Sequence, residues 1–440
     1  MSLAFVRFSG RGPYGIELRW VSTERLRQVK TLFLGGKLFD GEQAPVDGLG
    51  VLVDDGKITR VAPAGEFDGY SGQRIDTSGG TLMPGLIDCH VHLCLGGEAD
   101  PKAMREAVPA AQLVMSAFKR AQDNLAGGIT AVRDCGGKDY LEFAVRDACN
   151  SGAQLGPTIR AAGRMICMTG GHGNSIGRVA DGPEEVTKAV REQIHAGSDL
   201  IKVMASGGVM TPGVNPEDSH YTFEELEAGI SEAHRFDKHT ASHAQGTESI
   251  LNATRAGVDS IEHGIFMTEE CVEEMIARGT YLVPTLMPAR GIRENSDFLS
   301  GLQPYVREKF DRVDGRTEKS LKMFYDAGGK VAMGTDVGVP FAYHGQNAQE
   351  LAYMVETGMS PLDALIAGTA NGADLMRLEN EGRIKEGFAA DLLVVDGDPN
   401  QDIAMAAYKT NHRFVFKRGV PVTRADDIAD NGIPFGMAAL

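Results

Sequence analysis

From Met83 onward short apolar runs alternate with longer helix-period segments, several of which stop at Ala-Gly. The apolar runs fall near Gly85–His90, Ala131–Asp134, Thr158–Ile166, Leu200–Ala205, Thr240–His243, Ser260–His263, Tyr281–Leu286 and Lys330–Asp336. Between them, helix-period patterns cover Ala103–Ala126, Tyr140–Ser151, Pro183–Ala196, Thr222–Phe236, Thr247–Ala256, Glu269–Arg278 and Val306–Ala327. Helix stops are written as Ala126-Gly127, Ala196-Gly197, Ala256-Gly257 and Ala327-Gly328, a glycine just past the last turn being the usual terminator. Short continuous apolar runs alternating with helices read as parallel strands covered on both faces. Eight such units fit a (β/α)8 barrel. An open doubly wound sheet is the alternative, but no G-x-G-x-x-G follows the first strand.

The two ends of the chain read differently. Before Met83, short β runs at Thr31–Leu34, Leu49–Asp54, Ile58–Ala62 and Gln73–Asp76 are separated by Gly-Gly, Asp-Gly and Asp-Asp-Gly-Lys turn signals. After Lys385 the β pattern returns at Ala390–Val395 and Arg413–Lys417. The expected architecture is therefore α/β: a distorted (β/α)8 TIM barrel over residues 83–384, with a small β-sandwich built from residues 1–82 and 385–440. Residues 1–30, with an RGPYG turn signal and the only tryptophan, Trp20, fit neither pattern, and Met1-Ser2-Leu3 reads as a vector scar.

A net charge of −16 opposes a polyphosphate partner, and no Lys/Arg-rich run offsets it, so nucleic acid is excluded. The six cysteines (Cys89, Cys94, Cys135, Cys149, Cys167, Cys271) show no C-x-x-C spacing and read as thiols in a reducing compartment. No leader pattern and no apolar run of about 18 residues is seen. The expectation is a cytoplasmic enzyme acting on a small molecule, with no membrane partner.

The stretch Met83–Leu93, MPGLIDCHVHL, carries the first chemistry. Side chains two apart on a strand share a face, so His90 and His92 project together, a ready pair of metal ligands. An isolated H-x-H is weak evidence. Here it is joined by Lys202 in DLIKVMASGG, His243 in ASHAQG, His263 in IEHG and Asp336 in GTDVG, each at a predicted strand end. In a (β/α)8 barrel those ends converge on one mouth. No serine or cysteine sits in a G-x-S-x-G elbow.

The order PGLIDCHVHL, IKVMASGG, SHAQG, IEHG, GTDVG resembles the amidohydrolase superfamily, in its prolidase-like and imidazolonepropionase-related branch, over about residues 31 to 420. The resemblance implies two divalent ions, most readily zinc. His90, His92 and Asp336 would hold the more buried ion, His243 and His263 the second, and Lys202, carboxylated by carbon dioxide, would bridge both. A protonated ammonium has no lone pair and repels cations, whereas a carbamate is an anionic oxygen donor. A hydroxide bridging ions about 3.5–4 Å apart would attack an amide carbonyl, with Asp336 moving its proton to the leaving nitrogen. Lys202 also argues against imidazolonepropionase itself, which usually holds one metal without a bridging lysine.

The loops set the remaining expectations. Met168–Gly173 places His172 among glycines, and in similar prolidase-like enzymes a histidine here stabilises the oxyanion. Ser206–Thr222 has the length and Pro/Gly content of a functional loop. By resemblance Tyr221 in it would bond a substrate α-carboxylate, while His220 reads as exposed. Met287, Pro288 and Ile292, after strand 7, suggest an apolar leaving-group pocket, with Arg290 and Arg293 available for an anion or simply at the surface. His344 is read as lying outside the ligand set. The expected reaction is hydrolysis of dipeptides of Xaa-Pro or Xaa-hydrophobic type, or of N-acyl-L-amino acids. The alternative is a cyclic amide, carbamate or phenylurea-like substrate, and a metal-free scaffold is the third, non-enzymatic reading. Barrels of this kind often form homo-oligomers.

Overall fold

The computed structural model describes residues 4–7, 19–22, 30–99, 108–295 and 303–422. Ala4–Arg7 (β1) and Arg19–Ser22 (β2) pair antiparallel, Val6 opposite Trp20. The next strands are Thr31–Leu34 (β3), Lys37–Leu38 (β4), Leu49–Asp54 (β5), Lys57–Pro63 (β6), Gln73–Asp76 (β7) and Gly80–Pro84 (β8). Asp55 and Gly56, at φ 47° and 73°, close the β5–β6 hairpin. Positive φ at both central residues is what the Asp-Gly pair permits. One sheet runs in the order β6-β5-β3-β7.

From β9 to β17 every pairing is parallel. Leu86–Val91 (β9), Ile129–Asp134 (β10) and Thr158–Ala161 (β11) form one sheet. Ile166–Cys167 (β12), Arg178–Val179 (β13), Leu200–Met204 (β14), His239–Ala244 (β15), Ser260–His263 (β16) and Tyr281–Val283 (β17) form another, ordered β13-β12-β14-β15-β16-β17. Strands β9, β10, β14, β15 and β16 are buried at every residue, as strands covered by helices must be. The segment around Val331–Val337 touches both sheets. Val331 bridges Leu282 of β17, Val337 bridges Val91 of β9, and Cys89 N–H donates to Met333 O at 2.8 Å. At the other junction, Asp199 N–H donates to Ala161 O at 2.9 Å.

Leu392–Asp396 (β18), His412–Lys417 (β19) and Val420–Val422 (β20) extend the sheet ordered β20-β19-β18-β8-β4. Leu392 lies opposite Pro84 and Asp396 opposite Gly80, so strands from the two ends of the chain share one ladder. Phe33 of β3 meets Phe416 of β19 edge to face at 4.9 Å, within an apolar cluster that also holds Val51, Val53, Leu82 and Val394.

Three sequence expectations are corrected. Thr158–Ile166 is not one strand: Gly163 at φ 75° turns the chain, so β11 and β12 enter different sheets. Lys330–Asp336 makes only isolated bridges rather than a full strand. The helix expected over Val306–Ala327 splits into Pro304–Val313 and Arg316–Asp326 at Gly315, φ 72°. The expected helix from Ala103 is observed over Ala110–Ala126, and residues 103–107 of it lie outside the described residues. Met1–Leu3 lies outside them too. Among the described residues no helix is long and apolar enough to cross a membrane.

Candidate active site

The strand ends bring five of the six expected ligands into one buried group and set the lysine beside them. His90, on β9, and His92, just past it, are 1% and 9% exposed. Their Nε2 atoms lie 3.5 and 3.2 Å from Asp336 Oδ1. Neither contact is aligned as a hydrogen bond, and Asp336 Oδ1 has no such partner. All three residues present ligand atoms within 4.8 Å of one another. The His263 ring is 5.2 Å from that of His90 and 4.6 Å from that of His243. Lys202, on β14, is 2% exposed, and its buried Nζ has no hydrogen-bond partner.

Each imidazole is held from behind. His90 Nδ1 is 2.7 Å from Glu262 Oε2, and Glu262 Oε1 receives Arg133 Nη2 at 2.8 Å. His92 Nδ1 donates to Gly136 O at 2.8 Å, and His263 Nδ1 is 2.6 Å from Thr285 Oγ1. Such partners fix the ring orientation and leave the other nitrogen for a ligand. His243 differs, because its Nε2 donates to Gly207 O at 3.0 Å. Three residues of this cluster carry left-handed backbone: His263 at φ 72°, Thr285 at 52° and Asp336 at 57°. Non-glycine residues rarely adopt it, and it clusters at functional sites.

The electrostatics favour neutral rings at His90, His243 and His263. Burial, with Lys202 beside it, brings His90 down to about 3. Burial also lowers His263 to about 4 and His243 well below its usual range. At His92 burial pulls down, but the Asp336 contact outweighs it and the value rises. Burial alone would raise Asp336, yet His90 and His92 hold it far below the usual carboxylate range. Burial pushes the Cys135 thiol, beside His90 and Glu262, up to about 12, so it stays protonated. Neutral imidazoles at His90, His243 and His263 with an ionised Asp336 are a donor set suited to divalent cations, and the buried, unpartnered Lys202 Nζ lies beside them.

The loops sort the remaining expectations. The His172 ring lies 4.6 Å from that of His243, its Nδ1 2.7 Å from Thr211 Oγ1. A Cβ on Gly208 would come within 2.6 Å of that ring, so the glycine lets the loop close over it. Tyr221 does not meet its expected role: 2% exposed, it donates its hydroxyl to Ala180 O at 2.9 Å. A phenol committed to a core carbonyl is not offered to a substrate carboxylate. His220, read as exposed, is 7% exposed with neither ring nitrogen hydrogen-bonded. Arg290 pairs with Glu356 and stacks on Tyr353, and Arg293 pairs with Asp314 and Glu318, so both are engaged. His344 bonds Leu95 O at 2.9 Å, apart from the ligand group.

Sequence reasoning missed the supporting residues Glu262, Arg133, Thr285 and Glu350. Glu262 was visible inside IEHG, but alternation along β16 turns it away from His263 and hid its role. Arg133, buried completely near the end of β10, carried a signal in its residue type alone.

The amidohydrolase family model matches residues 81–422. Ochratoxinase from Aspergillus niger is 30% identical, over 88% of this chain and 86% of that protein. A crystal structure of a Xaa-Pro dipeptidase with methionine in its active site is similar at a TM-score of 0.80 and 34% identity, covering 89% of this chain and 99% of that one. A prolidase complexed with N-methylphosphonate-L-proline is similar at a TM-score of 0.81 and 30% identity, covering 90% of this chain and all (100%) of that one. With the motifs and the strand-end ligand group in place, these likenesses establish that the chain belongs to the amidohydrolase family.

Proposed function

We propose that this protein is a binuclear metal-dependent amide hydrolase that cleaves dipeptides of Xaa-Pro or Xaa-hydrophobic type, or N-acyl-L-amino acids. Its scaffold in this reading is a distorted (β/α)8 barrel spanning 83–384, with a β-sandwich from 1–82 and 385–440. The observation that carries it is the convergence of His90, His92 and His263 on Asp336, with Lys202 Nζ buried and unpartnered beside them. His90, His92 and Asp336 would hold one ion, His243 and His263 the other, and Lys202, as a carbamate, both. His243 would ligate through Nδ1, since Nε2 is engaged with Gly207. When bound, two divalent ions make water nucleophilic at neutral pH and polarise a carbonyl.

The chain's own residues do the rest. Asp336, kept ionised by its histidine neighbours, accepts the proton of the attacking water and returns it to the leaving nitrogen. With Nδ1 of His172 accepting from the Thr211 hydroxyl, its Nε2 keeps the ring hydrogen and donates it to the developing oxyanion. His220, with neither ring nitrogen hydrogen-bonded, is a donor on the Ser206–Thr222 loop for a substrate's polar group. Met287 and Ile292, both buried, favour an apolar leaving group.

One observation supports a second reading. With Tyr221 committed to Ala180, one expected partner of an α-carboxylate is missing, which favours a carbamate, cyclic amide or phenylurea-like substrate. The experiment is a turnover screen with added zinc and bicarbonate. Dipeptides and N-acyl amino acids are compared with phenylureas and carbamates by kcat/KM. Turnover confined to substrates without a carboxylate would overturn the first reading.

A further inference from the structure

The end of β17 is held in an unusual way. Thr285 is β-branched, yet its backbone is left-handed at φ 52°, a region such residues avoid. Its hydroxyl is nevertheless placed 2.6 Å from His263 Nδ1, and His263 is itself left-handed at φ 72°. Local preference therefore does not set this geometry, and something must hold it. Immediately after Thr285, Leu286 N–H donates to Glu350 Oε1 at 2.6 Å and Met287 N–H to Glu350 Oε2 at 3.0 Å. Glu350 is completely buried on the helix Gln349–Glu356 and spends both oxygens on these two backbone groups. The same helix grips the next turn, because Arg290 pairs with Glu356 and lies 4.4 Å over the Tyr353 ring.

We infer that Glu350 is a positioning residue for His263, acting through Thr285. By clamping the two amides that follow Thr285, it keeps that residue in its disfavoured conformation and aims its hydroxyl at His263 Nδ1. The ring is thereby fixed with Nε2 turned toward the neighbouring histidines. Glu350 touches no reacting atom, and the inference rests on the reading of His263 as a ligand of the second ion. A purely structural role, capping the helix Met287–Glu294, would be indifferent to which ring nitrogen of His263 carries the hydrogen.

The test uses Glu350→Gln, Thr285→Val, the conservative Thr285→Ser and the double variant Glu350→Gln/Thr285→Val in the full chain. Chelator competition with zinc measures each dissociation constant. Nitrogen NMR of the metal-free protein, with histidine labelled, reads the His263 tautomer. Glu350→Gln and Thr285→Val are expected to weaken one ion about 10–100-fold, the range for lost supporting partners, and leave the other unchanged. Thr285→Ser restores wild-type binding, and the double variant is no worse than the weaker single one. The His263 ring shifts move toward a mixed tautomer in Glu350→Gln. The inference is overturned if Glu350→Gln lowers the melting temperature while both zinc constants and the ring shifts stay at wild type. It is also overturned if Thr285→Ser behaves as Thr285→Val. Wild-type protein that binds no zinc would overturn the binuclear reading instead, and the ring shifts would then decide the clamp alone.

Discussion

Glu262 joins His90 to Arg133: one carboxylate oxygen sits 2.7 Å from His90 Nδ1, and the other takes the Arg133 guanidinium at 2.8 Å, with Glu262 and Arg133 both wholly out of water. Removing one partner of a buried ion pair leaves the other charge uncompensated. Glu262→Ala should therefore destabilise the fold by about 3–5 kcal/mol. Glu262→Gln, which keeps the shape, should fold and bind zinc about 10–100-fold more weakly. Denaturant midpoints and zinc titration check the pair, and unchanged zinc affinity in Glu262→Gln would remove Glu262 from the site.

Lys202 should need carbon dioxide to become a ligand. Metal-free protein reconstituted with zinc plus bicarbonate is expected to regain activity, whereas zinc in carbon dioxide-depleted buffer restores little. Lys202→Ala should lose about 10³-fold or more in kcat, several kcal/mol of barrier. Equal recovery with and without bicarbonate would argue against the carbamate.

In the proposed mechanism, His172→Asn would remove the ring hydrogen that stabilises the oxyanion while sparing the proposed ligands. A fall of about 10²–10³ in kcat is expected with zinc content at the wild-type level. Loss of zinc together with activity would move His172 into the ligand set.

Tyr221 and His220 should behave as opposites. Tyr221→Phe is expected to leave KM unchanged and to lose about 1 kcal/mol of stability with its bond to Ala180. His220→Ala should raise KM for carboxylate-bearing substrates about 10–100-fold, the worth of a hydrogen bond to a charged group. The reverse pattern in steady-state kinetics would restore the phenol to the pocket.

Acid should loosen the fold through buried histidines that are not among the ligands. Burial lowers both His239 and His344 to about 3, below the ordinary 6.5 of an exposed ring. Between those values the unfolded chain binds more protons than the native one, so stability rises with pH across that window. As pH falls from 6.5 toward 3, urea midpoints should drop. His344→Gln should flatten the slope, and an unaltered slope would show that this ring is not buried neutral.

The alternation of strand and helix, the β character of both ends and the ligand residue types were legible in the sequence, because period, turn chemistry and motif spacing are local. His90 and His92 needed only the two-residue repeat of a strand. The turn at Gly163, the split at Gly315 and the burial of His220 were not legible, since tertiary contacts decide them. Tyr221 was assigned by resemblance, and only the carbonyl of Ala180, far away in sequence, reveals where its hydroxyl goes. Glu350 was equally hidden, because its partners are backbone amides of another loop, and backbone leaves no mark in residue type.

The ladder that sets Leu392 against Pro84 has a consequence for how the molecule is made. During synthesis, Gly80–Pro84 cannot fill its place beside Leu392–Asp396 until that distant strand has itself been translated. Contacts of such long sequence separation are slow to form. The strand that leads into Leu86–Val91, which carries His90, therefore waits for a partner far along the chain.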